Sequence, residues 1–334
     1  MTKSQITIKD IAHALKVSPS TVSRALKDNP DISKETRELV QTYAKDHHYK
    51  PNAMAVNLRV SRSNTIGVIV PQLVHFFFSS VLNGIEEMAS KAGYNILIAQ
   101  SNESYEKEVE IIHSFLASRV CGVIASLAKE TSQYSHYQEL LTNDIPVVFY
   151  DRICTGLKTE RVVVDDYAGS FAAVEYLIKT GCKRICFYGA APHLEITKNR
   201  RNGYLDALHK HKISVDKSLI QLCDTREQAM ILTPQLMKSE NPPDAFFAIN
   251  DDTAAGILYA CKDMGIKIPE EVSICGFGES IIAQSTDPKL TTVEQRGEKV
   301  GEYALEILLN KIEKKGKVGN RIVKTKLIVR DSTK

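Results

Sequence analysis

The sequence predicts a chain in two parts: an all-α head of three short helices, then an α/β core of two doubly wound parallel-sheet subdomains. Three observations predict this. Between residues 7 and 47, apolar residues recur at helical spacing. From Thr65 onward, short continuous apolar runs alternate with helical segments, as expected of strands buried on both faces. That rhythm restarts at Asp166, so two series of similar length imply two stacked sheets.

Each element of the head has a local cause. Thr7 can cap a first helix, with Asp10 placed to reach back in a capping box. Ile8, Ile11, Ala12 and Leu15 form its apolar face. Ser18 can cap a second helix, in which Pro19 suits the first position because its missing N–H costs nothing there. Val22, Ala25 and Leu26 then face inward, leaving Pro19, Ser20, Ser23 and Arg24 outside. Ser33 can cap a third helix over 34–47, with Val40, Tyr43 and Ala44 inward and His47 and His48 at its solvated end. Pro51 breaks the chain. Residues 52–59 can form one more short helix that finds no apolar partner in its own segment, and the polar stretch 61–64 reads as a linker.

In the core, strands are expected at 66–70, 95–99, 122–125 and 147–150, with helices at 79–92, 105–117 and 133–142. The second series has a helix at 166–179 and strands near 184–188, 219–222, 245–249 and 272–275. A final strand is read in 290–295. In such sheets, ligands sit at the carboxyl ends of the strands.

Composition bounds the function. The 334 residues are 43% hydrophobic and 25% charged, ordinary for a soluble globular protein. No apolar run reaches membrane-spanning length, and the polar N-terminus has no signal-peptide character, so a cytoplasmic protein without membrane partners is expected. The net charge of +3 is unevenly spread. Residues 1–62 hold 11 Lys and Arg against 6 Asp and Glu, a net of +5, and the remainder is −2. A basic head on a slightly acidic body suits phosphate binding through the head alone. The seven scattered cysteines form no CxxC. Cys182 and Cys186 have no His at zinc spacing, so structural thiols are expected and no metal or cofactor.

Two helices joined by a tight turn, with a polar outer face at the start of the second, read as a helix-turn-helix. Its outward residues meet base edges in a major groove, and Arg24 is placed to donate a bidentate pair to guanine. The alternative is a three-helix interaction module in which Arg24 is merely solvated.

The head resembles the start of the LacI/GalR family of bacterial repressors. The resemblance rests on Thr-Ile-Lys-Asp-Ile-Ala (7–12), Val-Ser-Pro-Ser-Thr-Val-Ser-Arg (17–24) and Tyr-Lys-Pro-Asn-Ala (49–53). It extends into the core through Ile-Gly-Val-Ile-Val-Pro (66–71), Gly-Ile-Glu-Glu (84–87), Ile-Pro-Val-Val (145–148), Asn-Asp-Asp (250–252), residues 268–277 and Leu-Thr-Thr-Val-Glu-Gln (290–295). It therefore implies a periplasmic-binding-protein-like core whose last helix and strand, after about 295, return across both subdomains. The expected division is a DNA-binding head at 1–50, a hinge helix and linker at 51–63, and an effector-binding and dimerisation core at 64–334. Within the core, an N-subdomain takes about 64–162 plus 294–322, and a C-subdomain takes 163–293 plus 323–334.

The resemblance implies further roles. Thr7, Ser18, Pro19, Ser20, Thr21, Ser23 and Arg24 are the candidate DNA contacts of the head. Pro19 and Ser20 stand at the two positions that vary with operator. Asn52, Ala55 and Leu58 belong to a hinge helix that forms on DNA, with Leu58 as a wedge in the minor groove. Val56 stands where relatives frequently carry Arg, which removes a phosphate contact.

In the core, Phe77 and Phe78 are placed at the cleft, at least one of them also serving the core. Asp151 follows the 147–150 strand and Arg200 matches a ligand-clamping Arg, whereas its neighbour Arg201 is read as structural. Asn250 ends a buried strand as a ligand contact, with Asp251 as cap of the next helix, and Gln295 lies at the crossover. Gly278 stands where many relatives have an acid; its loss, with Arg200 retained and His75 as a further cation, predicts an anionic sugar derivative. Glu279 is an alternative source of the missing carboxylate.

The effector class implied is a sugar or sugar derivative, the alternatives being a nucleobase or nucleoside, or a corepressor. An enzyme is the rival class, but the acid pairs 165–166 and 251–252 fall at helix starts, and no Gly-rich phosphate loop, nucleophile elbow or HExxH occurs. A transport-type binding protein would need a signal peptide and would not carry the head. The expected partners are pseudo-palindromic double-stranded operator DNA, a small-molecule effector and a second copy of the chain. The absence of a trailing heptad after the last strand favours a homodimer over a tethered tetramer. If Leu58 is a wedge, Leu58→Ala weakens operator binding more than nonspecific binding; equal loss on both DNAs in a mobility-shift assay contradicts it.

Overall fold

A computed structural model describes residues 6–49, 63–316 and 319–334. The chain divides into two compact units, at 1–63 and 64–334.

The first unit holds three helices, α1 (Ile8–Ala14), α2 (Pro19–Ala25) and α3 (Lys34–Asp46). Each begins where its cap is written. The Thr7 N–H donates to Asp10 Oδ2 at 2.8 Å while the Asp10 N–H donates to Thr7 Oγ1 at 3.3 Å, completing the box. The Thr21 N–H donates to Ser18 Oγ, and the Thr36 N–H to Ser33 Oγ. Ile11, Ala12, Val22, Ala25, Val40 and Ala44 form the small core, with Ile8, Leu15, Leu26 and Tyr43 packed at its edge. So few buried side chains suffice because three caps and a proline preset the helix starts.

The second unit contains two six-stranded sheets. The first is built from β1 (Thr65–Val70), β2 (Asn95–Gln100), β3 (Gly122–Ala125), β4 (Val147–Tyr150), β5 (Glu160–Val164) and β11 (Arg321–Val323), in the order β11-β5-β4-β3-β1-β2. The second uses β6 (Ile185–Gly189), β7 (Ile220–Leu222), β8 (Ala245–Ala248), β9 (Ser273–Gly278), β10 (Thr291–Glu294) and β12 (Lys326–Ile328), in the order β12-β10-β9-β8-β6-β7. Every pairing is parallel except β10 with β12.

Helices cover both faces of each sheet. Helices α4 (Phe76–Lys91) and α12 (Gly297–Ile312) pack on one face of the first sheet, and α5 (Tyr105–Ala117) and α6 (Ser135–Thr142) on the other. Helices α7 (Asp166–Lys179) and α8 (Glu195–Lys210) cover one face of the second sheet, and α9 (Arg226–Met237) and α10 (Asp251–Asp263) the other. A five-residue helix, α11 (Ile281–Ser285), follows β9. Burial on both faces explains why β1, β3, β4, β6 and β8 read as unbroken apolar runs: Val68 and Val70 join the α4–α12 core while Ile69 joins the α5–α6 core. Helices α4 and α12 approach until the backbone at Gly84 meets the Glu298 carbonyl, a spacing at which a Cβ has no room.

The chain passes between the sheets three times: from β5 to α7, from β10 to α12, and from β11 to β12. The first and third passages are tied together, since the Asp165 N–H donates to the Val323 carbonyl at 2.9 Å.

Three elements differ from the sequence reading. Strand β5 was not expected; its Glu-Arg start and half-buried pattern hide it as loop. The chain's return uses two short strands rather than one. Helix α4 begins at Phe76 rather than 79, because Phe77 and Phe78 bury against the sheet as its first turn, without any side-chain cap to announce the start.

Candidate functional site

The exits of the strands converge on one cavity of about 520 Å³ in the second unit, walled by residues from both sheets. Of the eight residues read as effector contacts, His75, Phe77, Phe78, Asp151, Arg200, Asn250 and Gln295 line it. Gly278 lines an adjoining chamber with His75 and Phe77.

Arg200, on α8, is 4% exposed. Its Nε and Nη2 reach Asp166 Oδ1 at 2.8 and 2.7 Å, and Nη1 donates to the Ile249 carbonyl at 2.5 Å. Its guanidinium carbon lies 3.7 Å from the centre of the Phe277 ring. A guanidinium has five N–H donors, so two remain for a ligand after these three bonds. Burial raises the Asp166 carboxyl, and Arg200 opposes that by favouring the anion.

Asp151 stands just past β4 with φ +57°, in the left-handed region. It is 5% exposed. Its carboxyl is pushed up to about 6, chiefly by burial, with Arg152 pulling the other way and Asp166 adding to the rise. Among the described residues its side chain has no hydrogen-bond partner, and the same holds for the buried side chain of Gln295. Phe77 and Phe78 are both core residues whose edges form the cavity floor.

The sequence reading needs correction at three points. Asn250 rather than Asp251 caps α10: the Thr253 N–H donates to Asn250 Oδ1 at 2.7 Å, while Asn250 Nδ2 donates to the Asp224 carbonyl at 3.0 Å. Asp251 instead turns inward, accepting from the Ser280 N–H at 2.7 Å and the Thr292 hydroxyl at 2.5 Å. His75 is not a cation, because burial lowers its pKa and favours the neutral ring. Glu279 does not replace the acid absent at Gly278; it turns away to Arg330 at 2.5 Å. Arg201, read as structural, lies exposed on α8.

Several lining residues escaped the sequence reading. Glu103 follows β2, Lys129 follows β3, and Asp224, Thr225, Arg226 and Glu227 follow β7. The signal was present: the rule that ligands sit at strand exits applies to those strands as well. Lys129 Nζ reaches Asp224 Oδ2 at 2.6 Å, Arg152 reaches Glu103 at 2.5 Å, and Arg226 reaches Asp252 at 3.2 Å. Each lining cation, Arg200 included, thus has a carboxylate partner. The wall also holds Asp151 and Glu227, so it lacks the surplus positive charge on which the expectation of an anionic effector rested.

In the first unit, Pro19, Ser20 and Arg24 are exposed on α2, and Thr21 and Ser23 are half-buried. Ser18 spends its hydroxyl on the cap and on Ser20 and Thr21 at 2.8 Å each. Thr7 is likewise engaged with Asp10. Arg24 has no side-chain partner among the described residues, leaving its donors available. Asn52, Ala55 and Leu58 lie outside the described residues.

All seven cysteines are free, and burial pushes the Cys186 and Cys275 thiols far above their usual range. Among the described residues no cluster of His, Cys, Asp or Glu is placed to hold a metal, and no helix is long and apolar enough to cross a membrane.

Residues 7–52 match the model of bacterial regulatory proteins of the lacI family, and residues 174–333 match a periplasmic binding protein-like domain. The chain is 33% identical over 330 residues to the HTH-type transcriptional repressor CytR of Escherichia coli strain K12, covering 98% of this chain and 96% of that one. It is 32% identical over 318 residues to the HTH-type transcriptional repressor PurR of Vibrio atlanticus, covering 92% of each. Its fold matches the crystal structure of the Lac repressor dimer bound to operator and the anti-inducer ONPF, with a TM-score of 0.87 and 22% identity over 99% of both chains. The chain belongs to the LacI family of bacterial regulatory proteins. It is a DNA-binding transcriptional regulator with an effector-binding core, and like the repressors it resembles it is not an enzyme.

The raised Asp151 carboxyl has a consequence for stability. A carboxyl whose folded pKa lies above its unfolded value favours folding when protonated. That contribution is complete below about pH 4 and is lost as pH rises through about 6. Asp151→Asn, which never ionises, is therefore expected to be more stable than the parent at pH 8 by roughly 2–3 kcal/mol. The gap should close by pH 4, as read from urea unfolding. An equal difference at both pH values would mean that the Asp151 carboxyl ionises without cost.

Proposed function

We propose that this chain is a cytoplasmic homodimeric repressor acting at a pseudo-palindromic operator, and that a neutral, hydroxyl-rich small molecule in the core cavity sets its operator affinity. A sugar or sugar derivative is the class that suits the cavity, which points to genes of carbohydrate metabolism. The observation that carries this reading is the buried, unpartnered carboxylate of Asp151, facing the same cavity as Gln295 and the spare donors of Arg200. A buried polar group without a partner is costly, and ligand hydroxyls can donate to Asp151 while accepting from Arg200. The paired state of every lining cation favours a neutral ligand over an anion.

The working division is a DNA-binding head at 1–50, a hinge at 51–63 and the core beyond it, with Pro19, Ser20 and Arg24 reading base edges. The homodimer is supported by exposed apolar side chains on corresponding edges of the two sheets. Leu97 and Ile98 on β2 are 37% and 42% exposed, and Leu222 on β7 is 68% exposed. A twofold axis beside those edges would bury them isologously. Regulation then follows as a population shift: the effector biases two states of the core that differ in operator affinity, and acts only through its unequal affinity for them.

Selection of DNA from a random pool by the full-length protein tests the reading. One pseudo-palindrome is expected to enrich. Arg24→Ala should relax preference at one base pair in each half-site, by about 1–3 kcal/mol. Enrichment of the same palindrome with unchanged preference by Arg24→Ala would remove Arg24 from base readout.

A further inference from the structure

A second chamber of about 280 Å³ adjoins the main cavity, and the two share Val74, His75, Phe77, Asp252 and Ile282 as walls. Its own lining adds Phe76, Phe277 and Ile281.

The polar groups around this chamber are already engaged. Asp251 accepts from the Ser280 N–H and the Thr292 hydroxyl. Asp252 pairs with Arg226. The Ser79 hydroxyl donates to the Phe76 carbonyl at 2.8 Å, and burial keeps His75 neutral. What remains to meet a ligand is largely apolar. Gly278 keeps the space open: its φ is +149°, and a Cβ there would lie 3.0 Å from Asp251 Oδ2, so a side chain is disfavoured on both counts. Val74 and Ile281, which line the chamber, are 93% and 66% exposed, so filling it would remove apolar surface from water.

We propose that this chamber receives an apolar substituent, an aryl ring or short alkyl chain, carried by the hydroxyl-rich effector whose polar part occupies the main cavity. The inference rests on the reading of that cavity given above. The size fits, since an apolar cavity of roughly 150 Å³ is enough to hold benzene. The effector class becomes an aryl or alkyl glycoside rather than a free monosaccharide. The polar walls of the main cavity orient the sugar, and the second chamber selects its substituent.

Calorimetric titration of the full-length protein with matched methyl and phenyl β-D-glycosides of glucose, galactose, xylose and ribose tests this. In at least one pair the phenyl member should bind about tenfold or more tightly than the methyl member, as expected when several carbons enter an apolar pocket. Ser79→Phe, at an exposed helical position, fills the chamber and should abolish that gain while leaving the methyl glycoside's affinity in place. Phenyl members that bind no better than their methyl partners would overturn the chamber and leave the cavity reading standing. If neither series binds at millimolar concentration, the hydroxyl-rich effector is overturned and the chamber with it. A gain that survives Ser79→Phe would place the ring elsewhere and overturn the proposal.

Discussion

A guanidinium as buried as that of Arg200 has to be neutralised where it sits, and the way this is done organises the core. The partner is Asp166, at the start of α7, where the chain has just left the first sheet for the second. The third bond goes to the carbonyl of Ile249, at the end of β8, and the flat face rests on Phe277 of β9. One side chain thus ties a passage between the sheets to two strand exits beside the cavity. Such a pair adds little net stability over an apolar replacement, but removing one partner strands a buried charge at a cost of about 3–5 kcal/mol. Its value lies in position: it aims two free N–H groups at the cavity with little freedom to wander.

The sheets impose the rest. Parallel strands buried on both faces exclude polar side chains from their interiors, so polar groups collect where the strands end. The ends of β1, β4, β8 and β10, with Arg200 from α8, bring His75, Asp151, Asn250 and Gln295 to one cavity although they are far apart in the chain. The three passages of the chain between sheets leave each half a compact body that shares this one polar seam. A ligand that satisfies Asp151 and Arg200 together touches elements of both halves, the geometry needed to favour one relative arrangement over another.

Much of this was legible in the residues. Caps written as Thr-x-x-Asp and Ser-Pro place the head helices within a residue, because capping is local chemistry. Strands β3 and β4 fall exactly where their apolar runs lie, because total burial leaves no polar residue to blur the ends. Illegible features depended on distant partners. Strand β5 is half-buried and forms against β4 and β11, the latter more than 150 residues away in the chain. The exchange of roles between Asn250 and Asp251 is set by Thr292 and the Ser280 N–H, which no local pattern reveals. The charge character of the cavity was misread for the same reason: counting cations along the chain misses the carboxylates that fold against them.

The account's central claim is that cavity and operator are coupled through two states of the core. Linkage makes this directly measurable, since an effector that changes operator affinity by some factor must have its own affinity changed by the operator by the same factor. The measurement is a calorimetric titration of the compound that most raises the melting temperature in a metabolite screen, made with the free protein and with its operator complex. The account predicts unequal effector affinities, differing by about 5- to 150-fold and matching the shift in operator affinity measured separately. Equal effector affinity in the two titrations would contradict it.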